Sequence, residues 1–260
     1  MGAAAAMTES KGERIARRLA RVGVASRREA ERLIVDGRVT VNGTVLTSPA
    51  LNVGPEDVIL LDGEPIPEIQ QIRVWRLHKP DGVVVTHKDE KNRKTVFDLV
   101  PPKLGHVMTV GRLDLASEGL LLLTNDGDLA RWLELPSTGW ARRYRVRVFG
   151  SPSEAMLAKL AKGMTVDGVR YGPIEARIDS RQGANAWLTV TLREGKNREI
   201  RRVMEALGLK VNRLLRTAFG PFQLGNLPRG ALDEVPPKIL REQLGAQWKD
   251  RIGAHRRRPT

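Results

Sequence analysis

The sequence predicts an α+β protein with two domains, a small basic one followed by a larger one built on a mixed, mainly antiparallel sheet. Two helical patterns and two hairpin patterns fill the chain as far as residue 66. Pro67 and the pair Gln70-Gln71 then interrupt the pattern, as a linker does. Beyond Ile72, strand-like segments outnumber helical ones and do not alternate regularly with them, which favours an α+β arrangement over a parallel α/β sheet.

Local signals predict each element of the small domain. Apolar residues on one face indicate a first helix that ends at Gly23. Ser26-Arg-Arg-Glu29 is a capping box, which opens a second helix running to Asp36. The turn dipeptide Asn42-Gly43 lies between two β-prone runs and predicts a tight hairpin, and a weaker pattern of the same kind covers residues 58–66.

Apolar periodicity and turn residues place the elements of the larger domain. Strands are predicted at residues 83–85, 120–123, 144–149, 174–178 and 187–192. Helices are predicted at residues 129–135, 153–162, 198–207 and 238–247.

The charge of the chain indicates a polyanionic partner. Lys and Arg number 44 against 30 Asp and Glu, a net charge of +14, and nucleic acid is the first interpretation of such a balance. An anionic membrane is the second, but the sequence has no basic amphipathic anchor. Seven arginines between Arg14 and Arg32 face only three glutamates, so RNA contact is favoured over a solvated helix face. The arginines expected to contact RNA are Arg14, Arg17, Arg18, Arg27 and Arg28.

Composition excludes several kinds of chemistry. The chain has no cysteine, which excludes disulfides, thiolate nucleophiles and cysteine-bound zinc. It has no Walker or dinucleotide-type glycine loop, and its four histidines lack zinc-like spacing, so no cofactor and no metal is expected. No segment has the length of a transmembrane span and the alanine-rich start does not resemble a secretory signal, so a cytoplasmic location is expected. Residues 1–10 and the basic tail, 251–260, are expected to be disordered.

One loop of the larger domain stands out. Gly111 and Gly119 bracket a segment that holds Arg112 and Asp114, and an unbroken apolar run follows. That run requires a buried strand, so the loop is attached to a rigid element, where functional side chains are often placed. The alternative is a structural role, in which Asp114 accepts hydrogen bonds from the backbone of a turn.

Several segments resemble known families. The loop and the run after it, "GRLDLASEGLLLLTNDG", closely resemble motif II of the pseudouridine synthases. The segment "RIARRLARVGVASRREAERLIVDGRVTVNG" resembles the S4 RNA-binding domain. "KPDGVVVT", "TVFDLVP" and "GKNREIRRVMEALG" extend the resemblance to the branch that acts on bacterial ribosomal RNA, most closely the large-subunit synthase B type. The expected domains are S4-like at 11–68 and catalytic at 72–250.

The resemblance implies a cofactor-independent isomerisation of uridine to pseudouridine, with Asp114 as the catalytic aspartate. The bond between ribose C1′ and uracil N1 breaks, the base turns, and it is reattached through C5. Arg201 is expected to pair with Asp114, and Tyr144 to stack on the uracil. Arg112 would lie at the mouth of the pocket. The side chains expected along the RNA track are Lys196, Arg198, Arg213 and Arg216.

The expected partner is ribosomal RNA, with the large-subunit RNA or an assembly intermediate favoured; no protein partner is implied, and a monomer suffices. The sequence does not identify the target uridine, because RNA shape and phosphate contacts carry no motif. The main alternative is a non-catalytic RNA-binding or ribosome-assembly protein. A paired-carboxylate glycosidase or nuclease is less favoured, since the apolar run separates Asp114 from Asp126 and Asp128, which are interpreted as a turn and a helix cap.

Overall fold

The computed structural model describes residues 12–249 and Ile252, without the side chains of Gln247 and Lys249. The chain separates into two compact units at the boundary between Gln71 and Ile72. The predicted disordered start, 1–10, and the predicted basic tail, 251–260, lie outside the described residues except for Ile252. Ile252 is buried in the core of the second unit, so this core extends past the predicted boundary at residue 250.

The first unit packs two helices against short strands. Its elements, numbered in chain order, are β1 (Glu13–Arg14), α1 (Ile15–Arg21), α2 (Arg27–Val35), β2 (Val39–Val41), β3 (Thr44–Val45), β4 (Asn52–Val53), β5 (Ile59–Leu61) and β6 (Glu64–Pro65). One sheet has the order β3-β2-β5-β6, and β1 pairs with β4. The Ser26 side chain caps α2 by accepting from the Glu29 amide at 3.2 Å, which is one of the two bonds of the predicted capping box. Ile15, Leu19 and Ile34 are fully buried between the layers.

The second unit is built on a nine-stranded sheet. Its helices are α3 (Gly127–Glu134), α4 (Glu154–Ala158), α5 (Glu199–Ala206), α6 (Pro237–Leu244) and α7 (Ala246–Lys249). Its strands are β7 (Val74–Lys79), β8 (Met108–Val110), β9 (Glu118–Thr124), β10 (Arg142–Phe149), β11 (Met164–Val166), β12 (Val169–Tyr171), β13 (Ile174–Gln182), β14 (Asn185–Leu192), β15 (Lys210–Phe219), β16 (Phe222–Gln223) and β17 (Leu232–Glu234). The main path is β13-β14-β10-β15-β9-β7-β17, with β16 beside β15 and β8 beside β9, while β11 and β12 form a separate hairpin. Only β9 and β15 pair in parallel, so the sheet is mixed and mainly antiparallel, as predicted.

Strand β9 lies in the middle of this sheet, and all of its residues are buried. Leu121 and Leu123 belong to the apolar cluster on one face of the sheet, whereas Leu120 and Leu122 belong to the cluster on the other face. The unbroken apolar run of the sequence is explained by this double coverage. The loop that carries Asp114 therefore leads directly into the most enclosed strand of the unit.

Three predicted elements differ from the structure. The segment predicted as a strand at 83–85 forms only an isolated β-bridge, between Val84 and Thr95. The helix predicted at 153–162 is α-helical only in α4 and continues as a 3-10 turn, Lys159–Lys162. The helix predicted at 238–247 is broken at Gly245, which has a φ of 81°.

The predicted cap of α3 is also wrong by two residues. Asp126, rather than Asp128, is the N-cap, and it accepts from the amides of Asp128 and Leu129. Within the described part of the chain, no helix has the length and apolar character needed to cross a membrane.

Candidate active site

A cavity of about 810 Å³ opens in the second unit. Its wall is formed by the loop before β9, the first residues of β10, the turn between β14 and α5, and part of β15. Six residues singled out from the sequence line it together: Arg112, Asp114, Tyr144, Lys196, Arg198 and Arg216. A cavity of this size matches those that enclose small ligands in proteins. The loop aspartate therefore lies in a site of suitable size for a nucleotide.

The backbone of the Asp114 loop is fixed at four successive carbonyl groups. Lys79 Nζ donates to the carbonyls of Asp114 at 3.2 Å and Ser117 at 2.7 Å, with Leu115 at 3.5 Å. The Leu115 carbonyl also accepts from the Gly82 amide at 2.8 Å. Arg201 Nη2 donates to the fourth carbonyl, that of Ala116, at 2.7 Å. The half-buried carboxylate of Asp114 is thus presented by a rigid turn.

Lys79 is the residue that joins this loop to the sheet. Its side chain is 0% exposed, and it also donates to the carbonyl of Pro80 at 2.8 Å. Burial lowers the pKa of Lys79 to about 8, while the charges of Asp114 and Glu118 act in the opposite direction. The sequence analysis used Lys79 only as part of the segment "KPDGVVVT" and assigned it no role in the site. The available signal was spacing, because Lys79 follows Leu77 at the two-residue period of the buried face of β7.

The expected direct pairing of Arg201 with Asp114 is not formed in this structure. In the part of the chain that is described, no ion pair links the two residues. Arg201 instead uses Nη1 for the Val211 carbonyl at 3.1 Å and Nη2 for the Ala116 carbonyl. Burial lowers the pKa of Arg201 and nearby Arg198 lowers it further, while the charge of Asp114 opposes both. Arg201 therefore acts on Asp114 in two ways, through the electrostatic attraction between the two side chains and through its hydrogen bond to the loop backbone.

Tyr144 and Arg216 are cross-strand partners beside this loop. They are paired in register between β10 and β15, and Arg216 is also in register with Gly119 of β9. Tyr144 is 9% exposed and Arg216 is 3% exposed, and both line the cavity. Arg216 Nε donates to the Leu120 carbonyl at 2.7 Å. The sequence placed Arg216 among residues of an RNA track and gave no indication of its burial.

Two glutamates lie together in the cavity wall. Glu199 is 4% exposed, and its Oε2 accepts from the Lys196 amide at 3.0 Å. Burial and the neighbouring carboxyl group of Glu194 raise the pKa of Glu199 to about 7. Burial alone would raise the pKa of Glu194, but donors from Gly172 and Lys196 lower it overall. Within the described residues, no group of three His, Asp or Glu side chains is arranged to hold a metal ion.

The arginines predicted to contact RNA fall into two groups in the first unit. Arg17 and Arg18 lie beside the carboxylate of Glu13, at 3.7 Å and 2.6 Å, and Arg14 donates to the Ala50 carbonyl. The exposed Arg27 and Arg28 of α2 remain without a carboxylate partner in the described part of the chain. The second group is therefore the better supported for phosphate contact. In the first group, the carboxylate of Glu13 partly neutralises the positive charge of Arg17 and Arg18.

Sequence profiles of known families match both units. The profile described as RNA pseudouridylate synthase matches residues 73–206, which include Asp114 and Tyr144 and almost all of the cavity wall. The chain belongs to the RNA pseudouridine synthase family. A second profile, that of the S4 domain, matches residues 13–59 and accounts for the first unit of this synthase. Both resemblances inferred from the sequence are thereby confirmed.

Named relatives support the same family. The synthase is 47% identical to an uncharacterized RNA pseudouridine synthase of Rickettsia bellii, over 88% of this chain and 99% of that one. It is 40% identical to the ribosomal large subunit pseudouridine synthase B of Haemophilus influenzae, over 91% of this chain and 69% of that one. A crystal structure of a pseudouridylate synthase superposes with a TM-score of 0.63 at 26% identity, covering 90% of this chain and 100% of that one.

Proposed function

We propose that this synthase converts one specific uridine of ribosomal RNA, in the large subunit, to pseudouridine through Asp114 and without a cofactor. The observation that carries the proposal is the presentation of Asp114 in a nucleotide-sized cavity by a loop whose four carbonyls are all hydrogen-bonded. The likeness to ribosomal large subunit pseudouridine synthase B supports the choice of RNA.

The reaction requires a carboxylate held against an extruded nucleotide. An ionised Asp114 either attacks a carbon of the nucleotide or removes a proton from the sugar. In both cases the C1′–N1 bond breaks, C5 bonds to C1′, and the base loses the proton on C5 and gains one at N1, so that the product is an isomer of uridine. The gain from a fixed loop is orientation, since a carboxylate that is already aligned loses no further freedom in the transition state.

Tyr144 and Arg201 assist in different ways. The ring of Tyr144 lines the cavity and offers a face on which the extruded uracil stacks, which offsets the stacking lost when the base leaves the RNA. Arg201 holds the Ala116 carbonyl and so helps to fix the loop that carries Asp114. The exposed Arg112 and Arg198 line the same cavity and are suited to the phosphates on either side of the target.

Pseudouridine mapping of ribosomal RNA tests the proposal. RNA from cells lacking the synthase is compared with RNA from cells that carry the wild type, Asp114→Asn, or the control Asp179→Asn. Asp179 is an exposed aspartate of β13 outside the cavity. One large-subunit position is expected to lose pseudouridine in the null strain and to regain it with wild type and Asp179→Asn only.

Other outcomes contradict defined parts of the proposal. If Asp114→Asn restored pseudouridine, the proposed mechanism through Asp114 would be wrong. A position lost only from small-subunit or transfer RNA would correct the substrate. An unchanged map of all three RNAs would favour a non-catalytic binding role.

A further inference from the structure

Arg216 is a buried cation of the cavity wall that is not fully hydrogen-bonded. Its Nε donates to the Leu120 carbonyl, but its Nη2 is buried and has no acceptor among the described residues. A buried donor on a charged group is costly when it is left without an acceptor. The missing acceptor is expected to arrive with the ligand that fills the cavity.

The backbone around Arg216 holds this side chain in place. Strand β9 passes β15 so closely that a Cβ on Gly119 would lie 2.3 Å from the Arg216 carbonyl oxygen. On the opposite side, Tyr144 is its register partner in β10. The guanidinium carbon also lies 5.4 Å from the centre of the Phe219 ring. The donor is thus pre-positioned beside the tyrosine on which the uracil would stack.

Arg216 differs from the other buried cations nearby. Lys79, Arg142 and Arg216 are all less than one-tenth exposed, and the charge of Arg216 lowers the pKa of both of the others. Lys79 is bonded to loop carbonyls, and Arg142 to the carbonyls of Trp140, Arg193 and Glu134. Among these three, Arg216 is the one with a buried nitrogen that lacks an acceptor. Together they make this part of the wall favourable to negative charge.

We propose that the guanidinium group of Arg216, which lines the cavity, donates to a carbonyl oxygen of the target uracil and stabilises the negative charge that the base acquires during the reaction. This inference rests on the proposed function. When the C1′–N1 bond breaks, its electron pair stays with the uracil and spreads from N1 to O2 and O4. If Asp114 first adds to the base, the charge also reaches a carbonyl oxygen. Formation of the C5–C1′ bond uses this electron pair, and the base then loses the C5 proton and gains one at N1, which leaves neutral pseudouridine.

Burial distinguishes this role from a phosphate contact. The RNA backbone must continue out of the cavity on both sides of the target nucleotide. Arg112 and Arg198 are exposed and meet that requirement, whereas Arg216 is only 3% exposed. The edge of an extruded base is flat and can enter the cavity without the RNA backbone. Its carbonyl oxygens are therefore the acceptors that can reach a buried guanidinium.

The test uses the full-length synthase and large-subunit RNA from cells lacking it. Single-turnover rates and RNA dissociation constants are measured for wild type, Arg216→Met and Arg216→Lys. The matched control is Arg76→Met, because Arg76 of β7 is outside the cavity and already bonded to Asp233 and Gln223. Arg216→Met is expected to lower the rate by about 100-fold, the usual effect of losing one donor to a developing oxyanion. The RNA dissociation constant should stay within about twofold and the control near wild type.

Added guanidinium ion and the conservative variant separate chemistry from folding. Guanidinium should partly restore the rate of Arg216→Ala, since the vacated space accepts the same donor. If Arg216→Met does not fold, Arg216→Lys decides: one ammonium cannot serve both the Leu120 carbonyl and the base, so a loss of about tenfold is expected.

Three outcomes would overturn the inference. A wild-type rate in Arg216→Lys and Arg216→Met would show that no donor is needed. Weaker RNA binding with a salt slope reduced by about one would assign Arg216 to a phosphate. An inactive wild type on this RNA would overturn the proposed function itself, and the inference with it.

Discussion

At the scale of single residues, Lys79 fixes the backbone of the loop that carries Asp114. Lys79→Met keeps the length of the side chain but leaves the carbonyls of Asp114 and Ser117 without their buried donor. We expect a loss of about 2–4 kcal/mol in the free energy of unfolding, and a larger loss in single-turnover rate because Asp114 is no longer aligned. Urea unfolding and rate measurements check both.

The exposed Lys103 provides the control for this change. Lys103→Met removes a lysine without breaking a buried network, so its stability should stay within about 0.5 kcal/mol of wild type. If Lys79→Met were equally neutral, the loop would be held by its own turn and not by the lysine.

The raised pKa of the buried Glu199 predicts a dependence of stability on pH. The pKa of Glu199 is raised from 4.5 to about 7, so the folded protein keeps a proton that the unfolded chain releases in this range. Stability should therefore fall as the pH rises from about 4.5 to about 7. The contribution is at most about 3 kcal/mol, and the lowered pKa of Glu194 offsets part of it.

Glu199→Gln tests this dependence because it keeps a neutral hydrogen-bond donor toward Glu194. The melting temperature of the wild type minus that of the variant should be several degrees lower at pH 8 than at pH 5. Lys196 and Arg142 face Glu199 and are present in both proteins, so the comparison isolates the effect of the Glu199 carboxyl group. Parallel melting curves at the two pH values would show that Glu199 is ionised throughout.

At the scale of elements, the contact between β9 and β15 decides whether the site forms. Gly119 has a φ of +106°, and an added Cβ would lie 2.3 Å from the Arg216 oxygen and 2.7 Å from its nitrogen. Gly119→Ala must separate the two strands, and we expect a loss of about 3 kcal/mol or more together with loss of activity. Thermal melting and pseudouridine formation measure the two effects.

Gly127→Ala is the matched control in the same unit. Gly127 is the first residue of α3, its added Cβ would meet only the Met108 sulfur at 3.5 Å, and alanine favours the helix. This variant should be as stable as wild type or slightly more so. Equal damage from both substitutions would mean that the strand contact is not the cause.

The same contact shows where sequence reasoning reaches its limit. The capping box at Ser26, the Asn42-Gly43 turn and the loop around Asp114 are local patterns, and each was predicted correctly as an element. The neighbours of β9 are not local, since Arg216 and Gly119 are far apart in the sequence and no periodicity specifies that they pair. The roles of Lys79, Arg216 and Glu199 all follow from such pairing and burial, so the sequence could not assign them.

At the scale of the whole molecule, the net charge of +14 implies binding to RNA that weakens steeply with salt. Charge alone does not identify the contacts, because some arginines are engaged within the fold. Arg18 is held between Glu13 and the Gly54 carbonyl, whereas Arg27 and Arg28 are exposed on α2. The arginines of α2 are therefore expected to account for more of the RNA affinity than those of α1.

Arg27→Gln together with Arg28→Gln tests this division of charge. Each phosphate contact contributes about 0.7–0.9 to the slope of log affinity against log salt, so the double variant should lower the slope by roughly 1.5 and weaken binding at every salt concentration. The single-turnover rate at saturating RNA should not change, because neither arginine belongs to the cavity. Arg38→Gln is the control, since Arg38 is exposed but already paired with Asp62. An equal effect of Arg38→Gln would mean that binding responds to net charge and not to these positions, whereas an unchanged slope in the double variant would place the phosphate contacts elsewhere on the protein.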